Sequence, residues 1–231
     1  MTLPKVNCTE RIVIILDTSA EMGENIFDCL KKALEMFLVT KSTINSKHQF
    51  SLVMLQDSNT LWLQEFTSDI NLIKDLIDEA QLEETRDSES QTFDMDQIVD
   101  SLIESCEIPQ VSDNSIPPEC TWRTILIYGR SCETLSFSSK KEVFMKLNSS
   151  PYFFFDVLFL HKSSTEDNRC QDIYNWFLEL DKRGSSYILE TSQNFSAGIY
   201  EQVAKLLAHP LQRCPQGQRT YELKPNNTTV K

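Results

Sequence analysis

The chain has 231 residues, 40% of them hydrophobic and 24% charged, and its 34 acidic against 22 basic side chains leave a net charge of −12. Such a composition fits a globular chain with room for a sizeable core. The apolar runs Ile12 to Leu16 and Phe153 to Leu160 stop far short of the roughly 20 residues that cross a bilayer, and the acidity disfavours phosphate backbones, so neither a membrane nor a nucleic acid is the expected partner.

The first eight residues lack the apolar block of a secretory leader, which predicts an intracellular chain. Seven scattered cysteines with no CxxC pair fit reduced thiols. Five Asn-x-Ser/Thr sequons, at Asn7, Asn148, Asn194, Asn226 and Asn227, are then expected to be silent.

In chain order, Arg11 to Leu16 is a β-branched run of the kind buried on both faces of a parallel sheet. Ile26, Leu30, Leu34, Phe37 and Leu38 recur at helical spacing on a segment reaching about Thr40. Phe50 to Leu55 and Thr60 to Phe66 are too close together for a crossover, which predicts an antiparallel hairpin at a sheet edge. Ser68 or Asp69 can cap a helix carrying Ile70, Ile73, Leu76, Ile77 and Ala80. An acidic, Ser-rich loop from Glu83 to Gln91 comes next, and Thr92 then stands before a helix with Met95, Ile98, Val99, Leu102 and Ile103 on one face.

Three prolines between Ile108 and Cys120 mark a loop. Arg123 to Tyr128 and Tyr152 to Leu160 read as further buried strands, joined by a short helix from Ser138 to Leu147. Ile173, Trp176, Phe177 and Leu180 mark a helix that Lys182-Arg-Gly184 stops, and Tyr187 to Glu190 is a last strand. The closing helix, with Ile199, Val203, Leu206 and Leu207, ends near Ala208, because the residue before Pro210 is disfavoured in helical geometry.

The expected fold is thus α/β: a doubly wound, mostly parallel sheet with one antiparallel edge strand, over residues 10–209. Residues 1–9 lead in and residues 210–231 form an extended tail. In such a sheet a ligand crevice lies at the carboxyl ends of the strands, near Asp17 and Gly129.

Chemistry is sparse. Five glycines with no GxGxxG or GxxxxGK[ST] exclude the common nucleotide sites, and there is no GxSxG elbow. His48, His161 and His209 occur singly, without the spacing that gathers a catalytic zinc, so no catalytic residue and no cofactor are expected. Asp17-Thr-Ser-Ala-Glu21 at the end of the first strand is the one arrangement with a chemical precedent.

That arrangement resembles the von Willebrand factor A domain, over about residues 10 to 208. The resemblance implies a DxSxS motif, a Thr from a later loop and an Asp after the fourth buried strand, together holding a divalent cation in an oxygen shell. Asp17, Ser19 and Thr92 match. Glu21 stands where the last Ser of the motif would be, and Gly129, followed by Arg130, stands where the acid would be. The site reads as degenerate, with no bound metal, and Asp17, Ser19 and Thr92 are expected to serve the backbone: the first two in their turn, Thr92 as a helix cap.

A narrower resemblance lies in Lys5 to Cys8, Glu35 to Phe37, Phe66 to Asp69, Arg123 to Leu126, Pro151 to Val157 and Ala204 to Arg213. These stretches are similar to the A-domain scaffold subunits of the BRISC deubiquitinase and of the nuclear breast-cancer-susceptibility A complex, the MERIT family. The acidic leader that vertebrate members carry before these stretches is expected to be absent, and with it any partner that docks there.

This resemblance implies a non-catalytic subunit, cytoplasmic and nuclear. Such a subunit binds a ubiquitin-fold-variant scaffold, the brain and reproductive organ-expressed protein. Through it, the subunit joins a zinc deubiquitinase acting on lysine-sixty-three-linked ubiquitin and an Abraxas-type pseudo-protease. It also implies that Pro-x-x-Arg elements dock that scaffold, which points to Pro210, Leu211, Arg213, Pro215, Arg219 and Tyr221 as the partner-binding residues. Prolines lower the ordering cost of docking, and each guanidinium can pair bidentately with a carboxylate. A metal-dependent, adhesion-type A domain is the alternative.

Overall fold

The computed structural model describes residues 7–57, 59–84, 92–105, 118–163, 165 and 168–216. The chain forms β1 (Thr9–Asp17), a 3-10 turn (Ala20–Met22), α1 (Glu24–Ile44), β2 (Gln49–Leu55), β3 (Thr60–Thr67) and α2 (Ile70–Glu79). It continues as β4 (Thr92–Asp94), α3 (Asp96–Ser105), β5 (Cys120–Tyr128), β6 (Thr134–Ser136), α4 (Lys141–Ser149), β7 (Phe153–His161), α5 (Cys170–Leu180), β8 (Ile188–Ser192) and α6 (Ser196–Lys205).

Six strands make the main sheet in the order β3-β2-β1-β5-β7-β8, all parallel except the edge strand β3, as the hairpin spacing predicts. Alternation along β1 feeds two cores. Ile12, Ile14 and Leu16 meet residues of α1, α2 and α6 on one face, while Val13 and Ile15 meet residues of α3, α4 and α5 on the other. Asp69 caps α2 by accepting from the amide of Asn71, and Gly184 takes the left-handed conformation after α5 with φ 64°. No helix among the described residues is long and apolar enough to cross a membrane.

Two departures from expectation bear on function. Thr92 does not cap α3. It begins β4, which pairs in parallel with β6 as a separate two-stranded sheet, and Asp94 is the residue that accepts the amide of Asp96. Three-residue strands are too short to show a period, which is why the sequence pattern misses both.

The second departure lies beyond 209. Pro210 and Leu211 are buried, with Leu211 packed against Tyr152 and Phe154, and the Arg213 side chain is 2% exposed. This segment completes the sheet's lower end and is no free extended tail. The apolar period stops at Leu207 because the residues after it form a turn and a charge pair, neither of which has a period.

Candidate functional site

At the carboxyl ends of β1 and β5, Asp17 is fully buried and its carboxylate is ringed by N–H donors. Ser19 N reaches its Oδ1 at 3.1 Å and Gly129 N its Oδ2 at 2.9 Å. Arg130 Nε lies 3.2 Å from Oδ1 and 3.3 Å from Oδ2, and Nη2 lies 3.1 Å from Oδ1. The same guanidinium donates to the carbonyl of Gln56 at 3.0 Å, pairs with Glu133 at 3.3 Å and Asp57 at 3.4 Å, and stacks 4.9 Å above the ring of Phe93.

Burial pushes the Asp17 carboxyl above its ordinary range, against the pull of Arg130 and the two amides. Burial also works against the charge on Arg130, but Asp17 outweighs it and holds the guanidinium above its usual value, so the cation stays charged.

The remaining motif residues are tied down around this pair. Ser19 Oγ accepts from the amide of Glu21 at 3.3 Å. Glu21 does not turn toward Asp17; its carboxylate accepts the amide of Ser131 at 3.0 Å and meets Lys162 at 3.3 Å. The hydroxyls of Thr92 and Thr134 meet at 3.1 Å. Gly129 contributes an N–H where the A-domain motif places an acid, and a Cβ there would stand 2.6 Å from Met22 Cε.

A divalent cation needs acceptor oxygens, and this pocket offers Asp17 oxygens already filled by N–H donors with a positive charge against them. The residues do not fit a metal. Among the described residues, no group of three or more His, Cys, Asp or Glu side chains is placed to hold one.

A second charged cluster occupies the opposite end of the sheet. Glu10 of β1 is fully buried, accepts from Lys41 of α1 and lies 3.2 Å from Arg123 Nη1 of β5. Arg123 Nε donates to Asp156 of β7 at 2.7 Å. Arg213 grips the same carboxylate with both terminal nitrogens, at 2.7 and 2.6 Å, and stacks 3.9 Å from the Tyr187 ring centroid.

Burial alone would raise both acids. For Glu10, Arg123 and Lys41 overcome it; for Asp156, Arg213 and Arg123 do so, and both carboxyls sit below their ordinary values. A charged residue inside an otherwise apolar strand, as in the Phe153 to Val157 run, was the available signal for this cluster, but it names no partner.

Two histidines close the cluster as neutral acceptors. His48 Nδ1 accepts the amide of Glu10 at 2.9 Å, and burial drops its pKa to about 4. His209 Nδ1 accepts the amide of Leu211 at 3.2 Å, so its Nε2 carries the hydrogen and donates to the carbonyl of Cys8 at 3.1 Å. That tautomer leaves no base for the Cys8 thiol, 3.8 Å away, which burial pushes up.

Of the expected partner-binding residues, Pro210, Leu211 and Arg213 are engaged within the chain, Pro215 is exposed, and Arg219 and Tyr221 lie outside the described residues.

No family profile matches the chain. The protein named "BRISC and BRCA1-A complex member 1" from Danio rerio is 36% identical over 243 residues, covering 98% of this chain and 64% of its own length. Its namesakes from Xenopus laevis and Homo sapiens are 35% and 34% identical, each over 95% of this chain and 69% and 70% of their own lengths. Among solved structures, the von Willebrand factor A domain of SpRpn10 superposes with a TM-score of 0.57 at 11% identity, over 89% of this chain and 98% of that one. Proximal thread matrix protein 1 from the mussel byssus gives 0.57 at 12% identity, over 87% and 47%. These two likenesses speak to the fold.

Proposed function

The chain belongs to the family of BRISC and BRCA1-A complex members, and from that premise we propose that it is a non-catalytic scaffold subunit, cytoplasmic and nuclear. In this reading it holds a ubiquitin-fold-variant subunit. That subunit in turn joins an Abraxas-type pseudo-protease and a zinc protease acting on lysine-sixty-three-linked ubiquitin chains.

The observation that carries the reading is the Arg130 guanidinium on Asp17. An adhesion-type A domain captures an acidic ligand by letting it complete the coordination of a bound cation. Here the positive charge is a side chain whose donors are spent inside the protein, so the strand-end crevice has no open position to offer. What remains for the molecule is surface contact between subunits.

Pro210, Leu211 and Arg213 then act as an anchor that fixes where the chain leaves the domain, and Pro215, Arg219 and Tyr221 are the residues offered to the partner. A preset exit lowers the ordering cost of docking.

Affinity purification of the intact chain from its own cells, with associated proteins identified by mass, tests the proposal. Recovery of a ubiquitin-fold-variant subunit together with a zinc protease is expected; recovery of the chain alone overturns it. Calorimetric titration with Mg2+ separates the adhesion alternative, which requires stoichiometric heat at millimolar metal.

A further inference from the structure

β8 is an edge of the main sheet and, among the described residues, pairs only with β7. The Tyr187 carbonyl and the Gln193 amide both bond to β7, so alternation turns the backbone groups of Ile188, Glu190 and Ser192 outward. An outward edge is a template for another strand.

Part of this edge is satisfied within the chain. The Gln216 side chain accepts from the Ile188 N–H at 2.7 Å and donates to the Ile188 carbonyl at 2.7 Å, the two bonds that a neighbouring strand's backbone would make. The Ser192 carbonyl accepts the amide of Phe195 at 2.9 Å. The edge then presents a donor, an acceptor and a donor in sequence: the N–H and carbonyl of Glu190, followed by the N–H of Ser192. They border a groove of about 560 Å³ between α5 and α6, with Tyr174 on one wall and Glu201 and Lys205 on the other.

Charge says what fits there. Lys205 is held by Glu201 at 2.9 Å, so the two wall charges offset each other. Glu190 is exposed in the floor, beside Tyr174, and meets His161 at 2.7 Å with one carboxylate oxygen. A strand laid in register with Glu190 sets a side chain of its own next to that carboxylate and the Tyr174 ring, a place suited to Lys or Arg.

We propose that an extended segment of the partner subunit, carrying a Lys or Arg in register with Glu190, adds to β8 as a further strand. This rests on the scaffold reading for a partner that takes the exposed Pro215. Position names the occupant: Pro215 and Gln216 border Ile188, and Glu190 is two residues, about 6.6 Å, farther along the edge. A subunit that grips Pro215 therefore stands within reach of the outward groups of Glu190.

Amide hydrogen exchange tests it, on the pure chain and on the assembly purified with the chain from its own cells. The Glu190 and Ser192 amides are expected to exchange about tenfold or more slowly in the assembly, with β1 and β5 amides unchanged. Glu190→Pro removes one outward N–H and no bond to β7, while Glu190→Lys reverses the charge and keeps the strand. Each is expected to weaken binding of the purified partner subunit by about tenfold or more. Should Glu190→Pro not fold, Glu190→Lys decides, and unchanged affinity in it overturns the proposal.

Equal exchange rates in chain and assembly overturn the added strand and leave the scaffold reading standing when a ubiquitin-fold-variant subunit is recovered. Slowed amides in an assembly without that subunit support the strand and overturn the scaffold reading's choice of partner. A chain recovered alone overturns both. Protection already complete in the pure chain overturns the strand too: it assigns the edge to the chain itself when independent of concentration, and to a second copy when it grows with concentration.

Discussion

Arg130 and Asp17 face each other across the ends of two central strands, and both carboxylate oxygens of Asp17 are met by nitrogen donors. The pair is buried on both sides, at 1% and 0% side-chain exposure, so neither charge has water to fall back on. Removing one partner therefore exposes the other's full desolvation cost.

Arg130→Met should lower unfolding stability by about 3–5 kcal/mol in urea titrations, the usual cost of orphaning a buried charge. Adding Asp17→Asn to that variant should recover part of the loss, since the asparagine keeps an acceptor for Gly129 N and carries no charge. Additive losses in the double variant would show that the two side chains do not act as a pair.

Acid should destabilise the protein in a defined window. Burial holds His48 neutral, with a pKa of about 4 in the fold against 6.5 in the unfolded chain, and its Nδ1 accepts the amide of Glu10. The unfolded state therefore binds the extra proton as pH falls through that interval, and stability drops by up to about 3 kcal/mol between them. His209 is shifted the same way and adds to the slope. Below that window Glu10 and Asp156, held low in the fold, bring further loss. His48→Asn retains an acceptor for Glu10 N without a proton site, and its urea midpoint should change less between pH 7 and pH 5 than that of the parent chain.

Arg213 ties the segment after α6 to the sheet. Arg213→Ala leaves Asp156 with Arg123 as its remaining counter-charge and should cost about 3 kcal/mol. A chain ending at residue 209 should lose at least as much, because Tyr152 and Phe154 then lose their cover by Leu211; one ending at residue 216 should melt close to the full chain. Equal melting temperatures for the two truncations would place residues 210–216 outside the folded unit.

Gly198 in the first turn of α6 lets that helix press on β8. A Cβ there would sit 2.3 Å from Thr191 Oγ1 and 2.5 Å from Phe195 Cδ1, so Gly198→Ala should destabilise by about 1–3 kcal/mol through overpacking, despite the better helix propensity of Ala. Thermal melts of the single variant check the sign.

The long elements were readable because each carries a period: the β-branched run of β1 and the i, i+3, i+4 stripe of α1 name both their type and their buried face. The antiparallel edge followed from a connection too short to cross over. At the strand-end site, Asp17, Ser19 and Gly129 were legible, and so was the neighbouring Arg130. Its grip on Asp17 was not, since sequence separation of 113 residues carries no geometry. Thr92 was misplaced because β4 has only three residues, too few for a period. The Glu10, Lys41, Arg123, Asp156 and Arg213 cluster escaped for a related reason. Glu10, Lys41, Arg123 and Asp156 stand in four different elements and Arg213 follows the last described helix, and a charge met singly along the chain looks like an exposed position until the fold brings them together.

Asp156 and its bidentate clasp are 57 residues apart in the chain. At a synthesis rate of about 5–20 residues per second, the ribosome adds Arg213 roughly 3 to 11 s after Asp156. During that interval the nascent sheet holds two acids, Glu10 and Asp156, that must share the charge of Arg123 and Lys41. A nascent chain stalled before residue 213 would therefore present chaperones and proteases with Asp156 lacking its bidentate partner.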